Sequence, residues 1–167
     1  MKDSEQFYKN FSLYLTDHVS GELKTGFNTM NMSIKKESYK QFNEQIPSYF
    51  YAGIFKLKDN TFLTICEAKI IYSLSNRMYG GNGLVETRPE ALFTDSELFF
   101  GDLMMEWVLA FYQKHNKSVI FKKSETDKSQ FQSFFPTDDI EIASMSCTMQ
   151  NNSIGHIYVC HKAGLVD

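Results

Sequence analysis

Apolar residues recur at three- and four-residue steps in three stretches of the chain, and this spacing predicts three amphipathic helices. The helices cover roughly residues 4–24, 67–78 and 94–115. Gly26 is expected to end the first helix. Thr94 and Glu97 have the spacing of a capping box, in which a hydroxyl and a carboxylate satisfy free amides of the first turn. The buried side of this last helix is predicted to contain Leu98, Met105, Val108, Leu109 and Tyr112.

Runs rich in aromatic and β-branched residues separate the helices and predict β-strands. The strands cover roughly residues 27–34, 49–57, 62–66, 119–122, 139–149 and 154–161. The second and third strands are joined by a short polar connection at residues 58–60, so they should form an antiparallel hairpin, and the last two strands should form another. A short helix is predicted over residues 38–45, before the boundary that Pro47 sets. Together these elements predict an α+β fold, with an antiparallel sheet packed against about three helices.

The composition is that of one globular domain. The chain has 167 residues, of which 43% are hydrophobic and 15% aromatic, so a core rich in large rings is expected. Its formal net charge is −3 and its basic residues are scattered, so nucleic acid is not an expected partner. No apolar stretch approaches the ~20 residues that a membrane helix needs, so direct membrane insertion is not expected either.

Side chains with catalytic or metal-binding chemistry are sparse. Cys66, Cys147 and Cys160 are odd in number and far apart, which excludes a C-x-x-C site and predicts buried thiols in a reducing cytoplasm. No histidine has a second ligand at helical spacing, and His18 is expected to be a hydrogen-bonded core residue. Cys160 and His161 should point to opposite faces of a strand. The sequence therefore predicts no enzyme, no metal site and no cofactor.

The most distinctive segment is a glycine-rich loop after the second long helix. It consists of Tyr79, Gly80, Gly81, Asn82 and Gly83. Glycines so close together imply positive φ angles or close approach by another backbone, because each lacks a Cβ that would clash. The segment follows a helix and lacks the Gly-Lys-Ser/Thr ending of a nucleotide-binding loop. Two interpretations of the tyrosine remain open: an exposed contact residue, or a ring packed into the core at the end of the helix.

Several motifs occur in an order that resembles a known family. They are residues 39–47, the strand pair 54–57 and 62–65, the segment 76–83 ending in the glycines, Phe-Thr-x-x-Glu at 93–97, and residues 131–136. In this order they resemble the middle domain of the FliM family of flagellar motor switch proteins, to which the CheC and CheX phosphatases are related. The resemblance covers most of the chain. It implies a CheC-like fold and a single FliM middle-type domain over residues 1–167.

The resemblance also implies partners. In the FliM family the glycine loop docks onto FliG, the rotor protein, so Tyr79, Gly80, Gly81, Asn82 and Gly83 are implied as the contact. The family carries a basic residue shortly before the Phe-Thr pair, where this chain has Ala91 and Leu92, and nearby Arg88 could substitute for it. Neighbouring copies of the domain stand side by side in the ring, so lateral self-association through the first or the long helix is implied. The implied location is the cytoplasmic face of the flagellar basal body.

Three departures from the family limit what the resemblance implies. The CheC-type phosphatases use a glutamate followed three positions later by asparagine, and no glutamate of this chain has that neighbour. Neither a CheY-binding N-terminal peptide nor a C-terminal FliN-like domain is recognisable, so the expectation is either a fragment of a switch protein or a stand-alone protein-binding domain without those two activities. The alternatives are a CheC-like phosphatase or adaptor for phosphorylated CheY, and a component of a type III secretion sorting platform.

Overall fold

The computed structural model describes residues 3–85, 93–135 and 139–165, and it has the predicted α+β architecture. The strands are β1 (Phe27–Ser38), β2 (Phe50–Leu57), β3 (Asn60–Glu67), β4 (Ile120–Glu125), β5 (Asp139–Met149) and β6 (Asn152–Lys162). They form a six-stranded sheet in the order β1-β5-β6-β3-β2-β4, and all five neighbouring pairs are antiparallel. The helices are α1 (Asp3–Leu23), α2 (Tyr39–Gln45), α3 (Ala68–Met78) and α4 (Asp95–His115), with 3₁₀ turns at Lys128–Gln130 and Gln132–Phe134.

The three longer helices cover one face of the sheet and bury the main core against it. Helices α1 and α4 run antiparallel: the ring of Phe7 lies 5.0 Å from that of His115, and the Tyr14 hydroxyl donates to the Trp107 carbonyl at 2.8 Å. Their interface is built of aromatic rings, and burying each such ring contributes about 1.5–3 kcal/mol. This layer confirms the prediction of a sheet packed against three helices.

A second, smaller core on the opposite face of the sheet was not predicted. Helix α2 and the segment that follows β4 cover this face, and Phe42, Phe131 and Phe135 are buried there. The ring of Phe131 packs 5.4 Å from that of Phe50 on β2. The sequence interpretation placed a polar loop at residues 124–130. Here Ser124 and Glu125 still belong to β4, and the polar turns that follow carry Phe131 back onto the sheet.

Local sequence signals set the starts of two helices. The Thr94 hydroxyl accepts from the Glu97 amide at 3.2 Å, and the Glu97 carboxylate accepts from the Thr94 amide at 2.8 Å, which confirms the capping box. Ser38 and Gln41 form the same arrangement before α2. Each such cap is worth about 1 kcal/mol because it satisfies backbone donors that have no partner within the helix.

Three predictions about individual residues were wrong. Lys24, not Gly26, adopts the left-handed backbone after α1, with φ of 50°, so the residue that ends the helix lies two positions earlier than expected. Leu98 is 38% exposed, because Phe100 and Met104 set the buried side of α4. His18 is no core residue: its side chain is 32% exposed, and it stacks on Tyr14 beside Glu22.

A polar cluster is buried between α1 and the two strands β5 and β6. Nε2 of His161 is hydrogen-bonded to the Tyr8 hydroxyl and lies 3.5 Å from a carboxylate oxygen of Glu141, and Nδ1 lies 2.7 Å from the Lys162 carbonyl. The side chains of His161 and Glu141 are 1% and 3% exposed. The cluster therefore fixes the first half of α1 to the sheet. Cys160, next in the chain, faces the second core, as strand alternation predicted.

All three cysteines are free and buried, as the sequence predicted. Burial raises the pKa of the Cys66 thiol to about 12, and it also raises the pKa values of Cys147 and Cys160. Thiols held in the neutral form are poor nucleophiles and poor metal ligands. The described residues contain no group of three or more histidine, cysteine or acidic side chains placed to hold a metal ion. No helix in this part of the chain is long and apolar enough to cross a membrane.

Candidate partner-binding loop

The glycine loop begins as the C-terminal cap of α3. The amide of Gly81 donates to the Asn76 carbonyl at 2.8 Å, and the amide of Gly80 donates to the Arg77 carbonyl at 3.2 Å. Gly80 has φ of +99°, which is the left-handed conformation that this pair of bonds requires. This is a Schellman motif, in which a glycine after the helix allows the last carbonyls to be satisfied. The loop is therefore ordered from its first residue.

Asn76 holds the second half of the loop through its side chain. Its Oδ1 accepts from the Gly83 amide at 2.9 Å. A Cβ added at Gly81 would lie 2.7 Å from Nδ2 of Asn76 and closer to the other atoms of that amide, so only glycine leaves room for this contact. Asn82 acts in the same way, because its Oδ1 accepts from the Leu84 amide at 2.9 Å. Two asparagine side chains thus replace the backbone partners that a turn of this shape lacks.

Gly83 is the buried anchor of the loop. Its φ is +80°, and an added Cβ would lie 2.8 Å from the sulfur of Met149 and 3.4 Å from the carbonyl oxygen of Ser73. Met149 is fully buried at the end of β5. The residue therefore combines the two conditions that favour glycine, a left-handed backbone and close approach to packed neighbours. The predicted positive φ is found at Gly80 and Gly83, whereas Gly81 is approached by the side chain of Asn76 and not by another backbone.

Arg77 joins the loop to the end of α1. Its guanidinium donates to the carbonyls of Leu23 at 3.2 Å and Lys24 at 2.9 Å, and to that of Gly81 at 3.4 Å. The last turn of α1 has no basic residue of its own. Arg77 supplies that charge from a neighbouring helix, where it satisfies terminal carbonyls and interacts favourably with the negative end of the α1 dipole.

Replacing Arg77 with alanine is expected to loosen both segments that it joins. Three charge-assisted contacts disappear, so we expect a loss of about 1–2 kcal/mol in the free energy of unfolding. Amide hydrogen exchange should accelerate at residues 24–26 and 80–84, and mass spectrometry of peptic peptides measures it. Arg77→Lys is the matched variant. Its ammonium group keeps the positive charge but lacks the planar fork of donors with which the guanidinium contacts three carbonyls at once. Unchanged exchange in both segments of the alanine variant would contradict this role.

Large apolar side chains are exposed at the loop and beside it. Tyr79 is 56% exposed and Leu84 is 53% exposed, and Met78 beside them is also exposed. This exposure excludes the interpretation that the Tyr79 ring packs into the core. Gly80 and Asn82 are exposed, Gly81 is half-buried and Gly83 is buried. Arg88, the remaining candidate contact residue, lies outside the described residues.

Sequence reasoning missed the two residues that hold the loop in place. Asn76 and Arg77 occur within the recognised motif, but no local pattern shows where their side chains point. A signal was nevertheless present: two polar side chains in the last turn of a helix, directly before clustered glycines, are well placed to satisfy the amides and carbonyls of the turn. The arrangement is suited to presenting a fixed surface to a protein partner, with the exposed Tyr79 directly after the helix.

Comparisons with known proteins agree with this architecture. A family model for the flagellar motor switch protein FliM matches residues 1–162. A comparison with curated protein sequences gave no significant match. The chain is similar to the solved FliG–FliM complex from H. pylori, with 16% identity and a TM-score of 0.86, covering 96% of this chain and 91% of that chain.

Two further solved structures are similar. For the FliM middle domain from Vibrio alginolyticus, the identity is 17%, the TM-score 0.80, and the coverage 99% of this chain and 96% of that chain. For a CheC-like superfamily protein from Shewanella, the identity is 12%, the TM-score 0.57, and the coverage 94% and 97%. At such identities these likenesses concern the fold alone, and they confirm the predicted CheC-like fold. The family match spans nearly the whole chain, and this chain therefore belongs to the FliM family of flagellar motor switch proteins.

Proposed function

We propose that this chain is a protein-binding component of the flagellar motor switch that contacts a FliG-like rotor protein through the loop at residues 79–83. The observation that carries the proposal is the exposed ring of Tyr79 on a loop fixed by Asn76, Arg77 and the buried Gly83. A preorganised aromatic side chain binds at a lower entropic cost than one on a mobile loop. The solved relative from H. pylori is a FliG–FliM complex, which supports a rotor protein as the partner.

The proposal has four further parts. Arg88 contributes a basic contact beside the loop, as the resemblance implies. Copies of the chain associate laterally through α1 or α4, and the assembly sits at the cytoplasmic face of the flagellar basal body, where it takes part in chemotaxis-controlled rotation. The chain lacks the CheC-type phosphatase activity, because no glutamate has the asparagine that those enzymes place three positions later. Release of phosphate from phosphorylated CheY by the purified chain would favour the phosphatase alternative instead.

Substituting Tyr79 with alanine is expected to weaken binding to the cognate FliG. An exposed aromatic residue at the centre of a contact typically contributes about 2 kcal/mol, so Kd should rise roughly 30-fold. Isothermal titration calorimetry with the purified proteins measures this change. Stability should be nearly unchanged, because the ring is more than half exposed and the Schellman motif uses backbone atoms.

Tyr49→Ala is the matched control for this test. Tyr49 is 50% exposed and lies just before β2, and its contribution to α3 is a carbonyl that accepts from the Ala68 amide. The control should therefore bind FliG like the unmodified chain. Equal affinities for the two alanine variants, with both correctly folded by circular dichroism, would show that the loop is not the contact.

A further inference from the structure

The two edges of the sheet are protected very differently. At the β1 edge, α1 places hydroxyl groups four residues apart against the strand: the Thr29 amide donates to the Thr16 hydroxyl at 3.0 Å, and the Ser20 hydroxyl donates to the Phe27 carbonyl at 2.8 Å. Backbone groups that would otherwise be free are thus satisfied within the domain. Strand β4, at the other edge, pairs with β2 alone among the described strands.

The β4 edge, residues 120–125, also exposes large apolar side chains. Ile120 is 51% exposed, and Phe121 is 36% exposed although its ring contacts that of Phe55 at 5.4 Å. In an antiparallel pair, only every second residue directs its N–H and C=O groups toward the partner strand. The N–H and C=O groups of the other β4 residues therefore point outward, away from β2. An edge that combines unpaired backbone groups with exposed apolar residues is a template for a further strand.

The charge around this edge is positive, in contrast to the net charge of −3 of the chain. Lys122 and Lys123 belong to β4, Lys117 precedes it, and Lys56 lies across from Ile120 on β2. Lys123 forms an ion pair with Glu125 at 3.5 Å. The register of β4 shifts between Phe121 and Lys123, so Lys122 is the additional residue of a bulge.

We propose that the β4 edge binds an extended, acidic segment of a partner protein, which adds to the sheet as a seventh strand. The backbone of the segment pairs with β4, its alternate apolar residues cover Phe121 on one face of the sheet, and the carboxylates between them neutralise the lysines. A second copy of β4 is a poor occupant, because lysines would face lysines across the new pair. The bulge bends the edge and therefore disfavours a long flat strand, so the segment that pairs with β4 is short.

The test uses the whole chain labelled with ¹⁵N and the synthetic peptide acetyl-Glu-Val-Glu-Ile-Glu-Val-amide. Amide shifts should change at residues 120–125 and not along β1, and binding should weaken between 0.05 and 0.5 M NaCl as salt screens the charges. The double substitution Lys122→Glu and Lys123→Glu should reduce affinity at least tenfold. The matched control is Lys36→Glu with Lys40→Glu, an equal change of charge at two exposed lysines far from β4, and it should change affinity less than twofold.

Two further peptides distinguish the contribution of charge to the affinity from the contribution of backbone pairing with β4. The analogue with lysine in place of each glutamate should not bind, and the acidic peptide N-methylated at alternate residues should lose affinity because it cannot pair with β4. If the glutamate variant does not fold, Lys122→Gln with Lys123→Gln serves in its place. Three results would each overturn the proposal. They are binding of either analogue as tight as that of the acidic peptide, amide shifts that change outside β4, and self-association of the chain through residues 120–125.

Discussion

Replacing Gly83 with valine is expected to lower the free energy of unfolding by about 3 kcal/mol. A non-glycine residue in the left-handed region costs roughly 1–2 kcal/mol, and a side chain forced against packed neighbours costs about 1–3 kcal/mol more. Both costs apply at Gly83, where the backbone has φ of +80° and the space for a Cβ is taken by the buried side chain of Met149. Urea denaturation followed by circular dichroism measures the loss.

Two other glycines separate these contributions. Gly80 has φ of +99° but nothing within 4 Å of an added Cβ, so Gly80→Val should show the cost of the backbone conformation alone, about 1–2 kcal/mol. Gly26 has neither a left-handed φ nor a neighbour within 4 Å, so Gly26→Val should be close to neutral. If Gly83→Val were as stable as Gly26→Val, then Gly83 would not anchor the loop.

The same substitution connects stability to the proposed contact with FliG. Displacing Gly83 breaks its bond to Oδ1 of Asn76 and thereby frees the segment that supports Tyr79. A partner would then have to order this segment on binding, which costs affinity even though no contact residue has changed. A weaker affinity for FliG at temperatures where the variant remains folded would distinguish this effect from loss of the fold.

The parts of the structure that local sequence signals determine could be predicted. Thr94 and Glu97 lie within one helical turn of each other, so their capping box is visible in the sequence and occurs in the structure. The glycines after α3 likewise required unusual backbone angles whatever surrounded them, and Gly80 and Gly83 have them. The order of strands and helices followed from the same local patterns.

Interactions between distant residues were not predictable. The contact of Arg77 with Leu23 spans 54 positions, and the same arginine donates to the carbonyl of Lys24, the residue that is left-handed in place of Gly26. The second core depends on Phe131 returning to the sheet after polar turns, which no periodicity shows. Orientation toward or away from a core is decided by packing partners, as for Leu98, whose apolar character alone predicted burial.

Replacing His161 with leucine is expected to lower the free energy of unfolding by about 3 kcal/mol. The substitution removes the imidazole that lies 3.5 Å from the Glu141 carboxylate and that is hydrogen-bonded to the Tyr8 hydroxyl, while both of these groups stay buried. Removing one member of a buried polar pair is costly because the remaining group keeps its desolvation penalty. Urea denaturation gives the loss, and faster hydrogen exchange in the first half of α1 should accompany it.

His156→Leu and a double-mutant cycle show whether burial is the cause. His156 also faces a carboxylate, that of Glu67 at 3.2 Å, but its side chain is 46% exposed, so its replacement should cost less than about 1 kcal/mol. The double variant Glu141→Leu with His161→Leu should be more stable than the sum of the single variants predicts, because the buried carboxylate is then removed together with its partner. Additive losses would instead mean that Glu141 and His161 stabilise α1 independently.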